Sequence, residues 1–119
     1  GYTFCGNPSD LRLKENIVLI NDSLDTLRLI NVYNFTWKAE LSAANLPEPR
    51  MLAGKPDTGF IAQELSGAWP YAISPIGSRN LLANDSTTYA RVNPAKVIPL
   101  VMAAVKDMST IIEQLSSKV

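Results

Sequence analysis

The chain has 119 residues, the size of one domain, and 46% of them are apolar, enough for a modest core. Eleven basic residues balance eleven acidic ones, so there is no basic excess to hold a nucleic-acid backbone and no basic amphipathic stretch for a membrane surface. One cysteine, Cys5, and no histidine exclude an intrachain disulfide, the usual four-ligand zinc site and Ser-His or Cys-His nucleophilic pairs.

Acid–base chemistry near neutral pH is therefore left to Lys, Asp, Glu or Tyr with a shifted pKa. A domain of this size buries only about two thirds of its unfolded surface, which makes a partner chain an expected source of stability. The longest apolar run, Val97 to Val105, is too short to span a bilayer. Gly1–Pro8 has neither the charged nor the apolar region of a signal peptide.

Gly6, Asn7 and Pro8 predict irregular chain. Leu11 and Leu13 alternate with charges, which predicts a short extended stretch within Ser9–Asn16. Asn21, Asp22 and Ser23 form a helix N-cap cluster ahead of Leu24, Leu27, Leu29 and Ile30, with Asp25 where the helix dipole favours it. Val32–Trp37 alternates, with Tyr33, Phe35 and Trp37 on one face, and predicts a strand. Ala39–Ala44 fits a short helix or a continuation of that strand.

Asn45–Thr58, with Pro47, Pro49, Gly54 and Pro56, predicts a long loop that is either an arm onto a neighbouring segment or plain surface. Gly59–Ala62 is expected as a short strand, Gln63–Ser66 as a helical turn, Tyr71–Ile76 as a strand interrupted by Pro75, Gly77–Thr88 as loop or hairpin, and Tyr89–Val92 as the last strand. Phe35, Trp37, Phe60, Trp69 and Tyr71 are expected to pack in a core or interface. Glu64 is expected to complement a helix start, and Cys5 is expected to be inert. No internal repeat or low-complexity segment occurs.

Asn93 as cap and Pro94 at the first helical position open one long helix to Val119, with Pro99 bending its first turns. Within it Ile98, Val101, Val105, Met108, Ile112, Leu115 and Val119 follow one another at steps of three and four, a strict a/d seam. Such a seam is narrower than the stripe of most helices packed on their own domain. It fits either a core helix or a helix packed against its own copies. The β-branched residues at a, and Met108 at d, do not fix the number of chains.

Ser9-Asp10-Leu11-Arg12-Leu13-Lys14-Glu15-Asn16-Ile17 combines a hydroxyl and an amine five residues apart. A serine needs a base to become nucleophilic. A neutral lysine can serve once its ordinary pKa near 10.4 falls, through burial or a neighbouring cation such as Arg12. The two do not share a helix face; an extended or turned segment is needed to join them. The plainer reading makes Ser9 and Asp10 a turn cap and Arg12, Lys14 and Glu15 a solvated face.

The segment S-D-x-R-L-K-x-N-I resembles the opening signature of the intramolecular chaperone domains at the C-termini of phage tail fibres, tailspikes and endosialidases, the S74 peptidases, also found in an animal membrane-bound transcription factor. Val32–Lys38 is similar to that family's strand ending in an aromatic-Lys pair, Gly59–Leu65 to its G-F-I-A-Q-[DE] segment, and Tyr89–Ala104 to the lead into its final helix. The resemblance covers nearly the whole chain.

It implies an α+β domain with a small mixed sheet, short helices and a long C-terminal helix in a trimeric coiled coil, with Ile98, Val101, Val105, Met108, Ile112 and Leu115 in the interface. Gly1–Pro8 is then the end of an upstream stalk or linker, and 9–119 the chaperone domain. The family's chemistry, carried over, makes Ser9 the nucleophile that cuts Pro8–Ser9, Lys14 the general base, and Asp10, Arg12 and Asn16 supporting residues; the sequence leaves the oxyanion donors open between Asn16 and backbone N–H groups. The implied partners are two further copies and the upstream fibre of the same polypeptide, in the host cytoplasm during virion assembly, with no cofactor, nucleic acid or membrane. The alternatives are a permanent trimeric fibre tip without proteolysis and, less supported, a hydrolase acting on external substrates.

Overall fold

A computed structural model describes residues 8–41, 53–78 and 88–118. A 3-10 turn at Leu11–Leu13 precedes α1 (Ser23–Arg28), β1 (Tyr33–Thr36), β2 (Pro56–Gly59), α2 (Ala62–Ala68), a 3-10 turn at Pro70–Ala72, β3 (Ile73–Ser78), β4 (Tyr89–Val92), a 3-10 turn at Pro94–Lys96 and α3 (Ile98–Ser116). The mixed α+β class holds. The expected single mixed sheet is instead two antiparallel pairs among the described residues, β1 with β2 and β3 with β4.

The aromatic alternation of Val32–Trp37 forms β1 as expected, and Tyr33 lies opposite Gly59 while Thr36 lies opposite Pro56. The expected loop therefore ends early: its last residues turn at Gly54, whose φ of 75° suits only glycine, and enter β2. Pro56 is tolerated because it opens the strand. The two-stranded ribbon is closed by Gly54 N–H to the Trp37 carbonyl and Trp37 N–H to the Lys55 carbonyl, both 2.9 Å. Residues 42–52, most of the expected arm, lie outside the described residues, as do Cys5 and Val119.

Gly59–Ala62 and Gln63–Ser66 are displaced in the same way: the strand ends at Gly59 and the helix already starts at Ala62. Tyr71 falls in a 3-10 turn, and β3 runs through Pro75 with a register irregularity between Ser74 and Ser78. A proline without an N–H cannot pair regularly there. The N-cap cluster also behaves differently. Asp22 caps α1 in the left-handed conformation, φ 55°, without a side-chain hydrogen bond, and Ser23 instead turns inward, fully buried, to donate to Asp107 on α3.

The core is small. Leu65, Ala72 and Val97 are buried together, with Ile30, Phe60, Trp69, Ile73 and Val92 packed around them. Trp69 Nε1 donates to the Lys96 carbonyl at 2.8 Å, fixing the start of the final helix to α2. Tyr33 Oη donates to Glu64 Oε1 at 2.7 Å, and Asn31 Nδ2 donates to the same oxygen at 3.1 Å, joining β1 to α2. The aromatics pack as expected in part: Phe35 and Trp37 meet edge to face with centroids 5.0 Å apart, and Trp69 and Tyr71 meet tilted at 4.8 Å, yet Tyr71 stays 71% exposed.

Asn93 does cap, its Oδ1 accepting from Ala95 N–H at 3.2 Å, but the first turn is 3-10 and the α-helix proper begins at Ile98. Pro99 thus occupies the first turn of α3, where its missing N–H has no intrahelical partner to lose, and it starts the helix rather than bending it. Helix α3 has two faces. Leu100 and Ala104 are buried and Asp107 meets α1, all on one stripe. The a/d seam lies about 100° round the helix from that stripe and faces outward: Ile98 is 58%, Val105 57%, Ile112 59% and Leu115 60% exposed.

Two expectations follow. Leu65→Ala should lower the unfolding free energy by about 2–5 kcal/mol, read from the urea midpoint, because Leu65 is only 1% exposed. The hydrogen bond to Glu64, then desolvation and the carboxylate's charge, raise the Tyr33 phenol above its ordinary 10.0. A raised folded pKa stabilises fully below the unfolded value, and that contribution is lost as pH climbs through the folded one. Tyrosinate absorbance should therefore show a late-titrating tyrosine that disappears in Tyr33→Phe and titrates earlier in Glu64→Gln.

Candidate functional site

The expected extended stretch at Ser9–Asn16 is instead a turn, and the turn is what makes a site. Asp10 caps it in extended conformation, φ −67° and ψ 137°. Leu13 N–H reaches the Asp10 carbonyl at 3.0 Å and Lys14 N–H the Leu11 carbonyl at 3.1 Å, closing a 3-10 turn. Asp10 Oδ1 accepts from Arg12 N–H at 2.8 Å and from Arg12 Nε at 3.0 Å, and Oδ2 accepts from the guanidinium at 2.9 Å. The plainer sequence reading of Asp10 as a turn cap is thus correct as local structure.

Lys14 leaves the turn in extended conformation, φ −125° and ψ 151°. Its side chain folds back, and Nζ donates to Ser9 Oγ at 2.6 Å. Ser9 and Lys14, singled out from sequence, are brought together. Asn16 follows two residues later in the left-handed conformation, φ 53°, which asparagine tolerates better than most residues. Pro8 adjoins Ser9 and is exposed.

The electrostatics differ from the sequence reading in one respect. That reading required burial or the Arg12 charge to act on Lys14. Ser9, Lys14 and Arg12 are all exposed in the protomer, and the Arg12 guanidinium is engaged by Asp10. The Arg12 hydrogen bonds hold the Asp10 carboxyl below the usual carboxylate range, and the same contact raises Arg12. The Asp10 contribution to the turn is present above its ordinary value and is lost as pH falls through the lowered one.

The seam residues Ile98, Val101, Val105, Met108, Ile112 and Leu115 line one side of α3 and all remain exposed. A second exposed apolar strip runs through Ile17, Val18 and Leu19; the sequence reading used Ile17 only as part of the motif and missed the run. A shallow groove of about 350 Å³ between α1 and α3, lined by Asp22, Leu24, Asp25, Asp107, Thr110 and Ile111, includes none of the dyad residues. Among the described residues no helix is long and apolar enough to cross a membrane, and no group of three or more His, Cys, Asp or Glu side chains gathers to hold a metal ion.

The chain is similar to known proteins in the same region. It is 23% identical over 114 residues to myelin gene regulatory factor-like A of Dictyostelium discoideum, a match spanning 94% of this chain but only 12% of that much longer protein. The family described as chaperone of endosialidase, peptidase S74, matches residues 9–74. The match begins at the serine whose hydroxyl Lys14 contacts and extends through both strands of the first sheet, α2 and the start of β3. Spanning more than half of the sequence, it shows that this chain belongs to the chaperone-of-endosialidase family.

Proposed function

We propose that the chain is a trimerising intramolecular chaperone of a phage fibre or spike, released by its own Ser9–Lys14 dyad. The observation that supports the proteolytic half most directly is the 2.6 Å contact between Lys14 Nζ and Ser9 Oγ. In its neutral form Lys14 takes the Ser9 hydroxyl proton, and Oγ adds to the Pro8 carbonyl carbon through a five-membered ring. The Pro8–Ser9 C–N bond breaks, Lys14 returns its proton to the Ser9 amine, and Pro8 is left as an ester on Oγ. Water hydrolyses that ester to the Pro8 carboxylate and restores the hydroxyl. The attacked carbonyl is bonded to the nucleophile's own residue, so each chain cuts itself.

The assembly half is supported by α3. Six seam residues stand exposed on the side of the helix that its own domain does not use. Trimerising first raises the effective concentration of the upstream chains and sets their register. Removing the chaperone afterwards leaves the fibre kinetically trapped.

Intact mass tests the cut: the parent should lose Gly1–Pro8, while Ser9→Ala and Lys14→Ala stay whole. If all three stay whole but form trimers, the chain is a permanent tip and the proteolytic half is wrong. Light scattering with size-exclusion chromatography tests the assembly: the parent should have the mass of three chains, and Val105→Asp with Ile112→Asp should reduce it to one while leaving the monomer helical. A parent that elutes as a single chain would sink the trimer.

A further inference from the structure

We propose that Asp10, clamped by Arg12, is a positioning residue that holds the Lys14 amine on the Ser9 hydroxyl. This rests on the dyad reading above and deepens it. Residues five apart are about 17 Å apart along a strand, and on an α-helix they sit about 140° apart. Neither conformation joins them. A 3-10 turn does, but turns of this length are weak and depend on what surrounds them.

Nothing from the core surrounds this one. Leu11–Leu13 has no buried residue, with Leu11 70% and Leu13 72% exposed. What fixes the turn is local: both Asp10 oxygens are occupied, one by Arg12 N–H and Nε and the other by the guanidinium. The carboxylate thereby ties the first turn residues to the cap, and Lys14 leaves the turn aimed back at Ser9. The fork geometry of arginine is what lets one side chain hold both oxygens. An exposed pair of this kind adds little to global stability, so its removal separates positioning from folding.

The test measures the rate of Gly1–Pro8 loss against pH in the parent, Asp10→Ala and Asp10→Asn, with melting temperature and oligomeric mass recorded for each. Misplacing a reacting group by about 1 Å costs on the order of 10²-fold in rate. Asp10→Ala should lower the plateau rate by roughly that factor without moving the pH midpoint, melting temperature or mass. Asp10→Asn keeps an oxygen for the Arg12 N–H and should fall between the two.

A plateau within about twofold of the parent would overturn the proposal. So would a shifted midpoint with an unchanged plateau, since the carboxylate would then act on Lys14 through its charge. Melting temperatures that drop in step with the rate in both variants would make the role structural and overturn it as well. Should the parent itself not cut, the dyad reading fails on its own, and the clamp is read from the NOE between Lys14 Hε and Ser9 Hβ: present in the parent and lost in Asp10→Ala supports positioning, retained in both refutes it.

Discussion

Helix α3 is where the two demands on this chain meet. Leu100 and Ala104 are buried on one stripe, and Asp107 on the same stripe receives the buried Ser23 hydroxyl of α1. The stripe thus mixes a large aliphatic residue, Leu100, with the small Ala104 and the polar Asp107. The aliphatic residues of the a/d seam lie on the other stripe and stay exposed. With Leu65, Ala72 and Val97 as the only other buried apolar residues among those described, the protomer holds together through few apolar contacts. Directed polar ties between elements supplement them: Trp69 to Lys96, Tyr33 and Asn31 to Glu64, and Trp37 to Asp57.

A chain of this size has enough apolar residues for a larger core than it builds. It places them at Leu11, Leu13 and Ile17–Leu19 in the N-terminal segment and along α3 instead. Apolar surface left to water at about 25 cal/mol per Å² is a standing drive toward association. The family to which the chain belongs is described as a chaperone of endosialidase.

Much of this was legible in the sequence, and unevenly so. The strand at Tyr33–Thr36, the strand at Tyr89–Val92 and the cap at Asn93 follow from period-two alternation and from capping chemistry, which are local. β2 was legible only at Gly59: Pro56-Asp57-Thr58 reads as loop and becomes strand because β1 is beside it. The fully buried Ser23 gave no signal, since its partner lies 84 residues away. At the candidate site the two chemical residues were legible through the resemblance of the S-D-x-R-L-K-x-N-I segment to a known family, while their types and spacing alone favoured a turn cap and a solvated face, and the turn that joins them was not legible. Two leucines alternating with charges suggest a strand, and only the side chain of Asp10, folding onto Arg12, overrides it.

The short reach of the Ser9–Lys14 contact has a consequence in time. A contact spanning five residues, organised by hydrogen bonds spanning two and three, closes as fast as a small loop does, in about 10–100 ns. The pairing of β1 with β2 and the docking of Ser23 on Asp107 join residues twenty or more positions apart and form later. Proximity of the amine and the hydroxyl therefore precedes the rest of the fold and carries no information about whether that fold, or any neighbour, is in place. For the proposed self-cleavage, timing that waits for assembly is set by something other than the meeting of these two side chains.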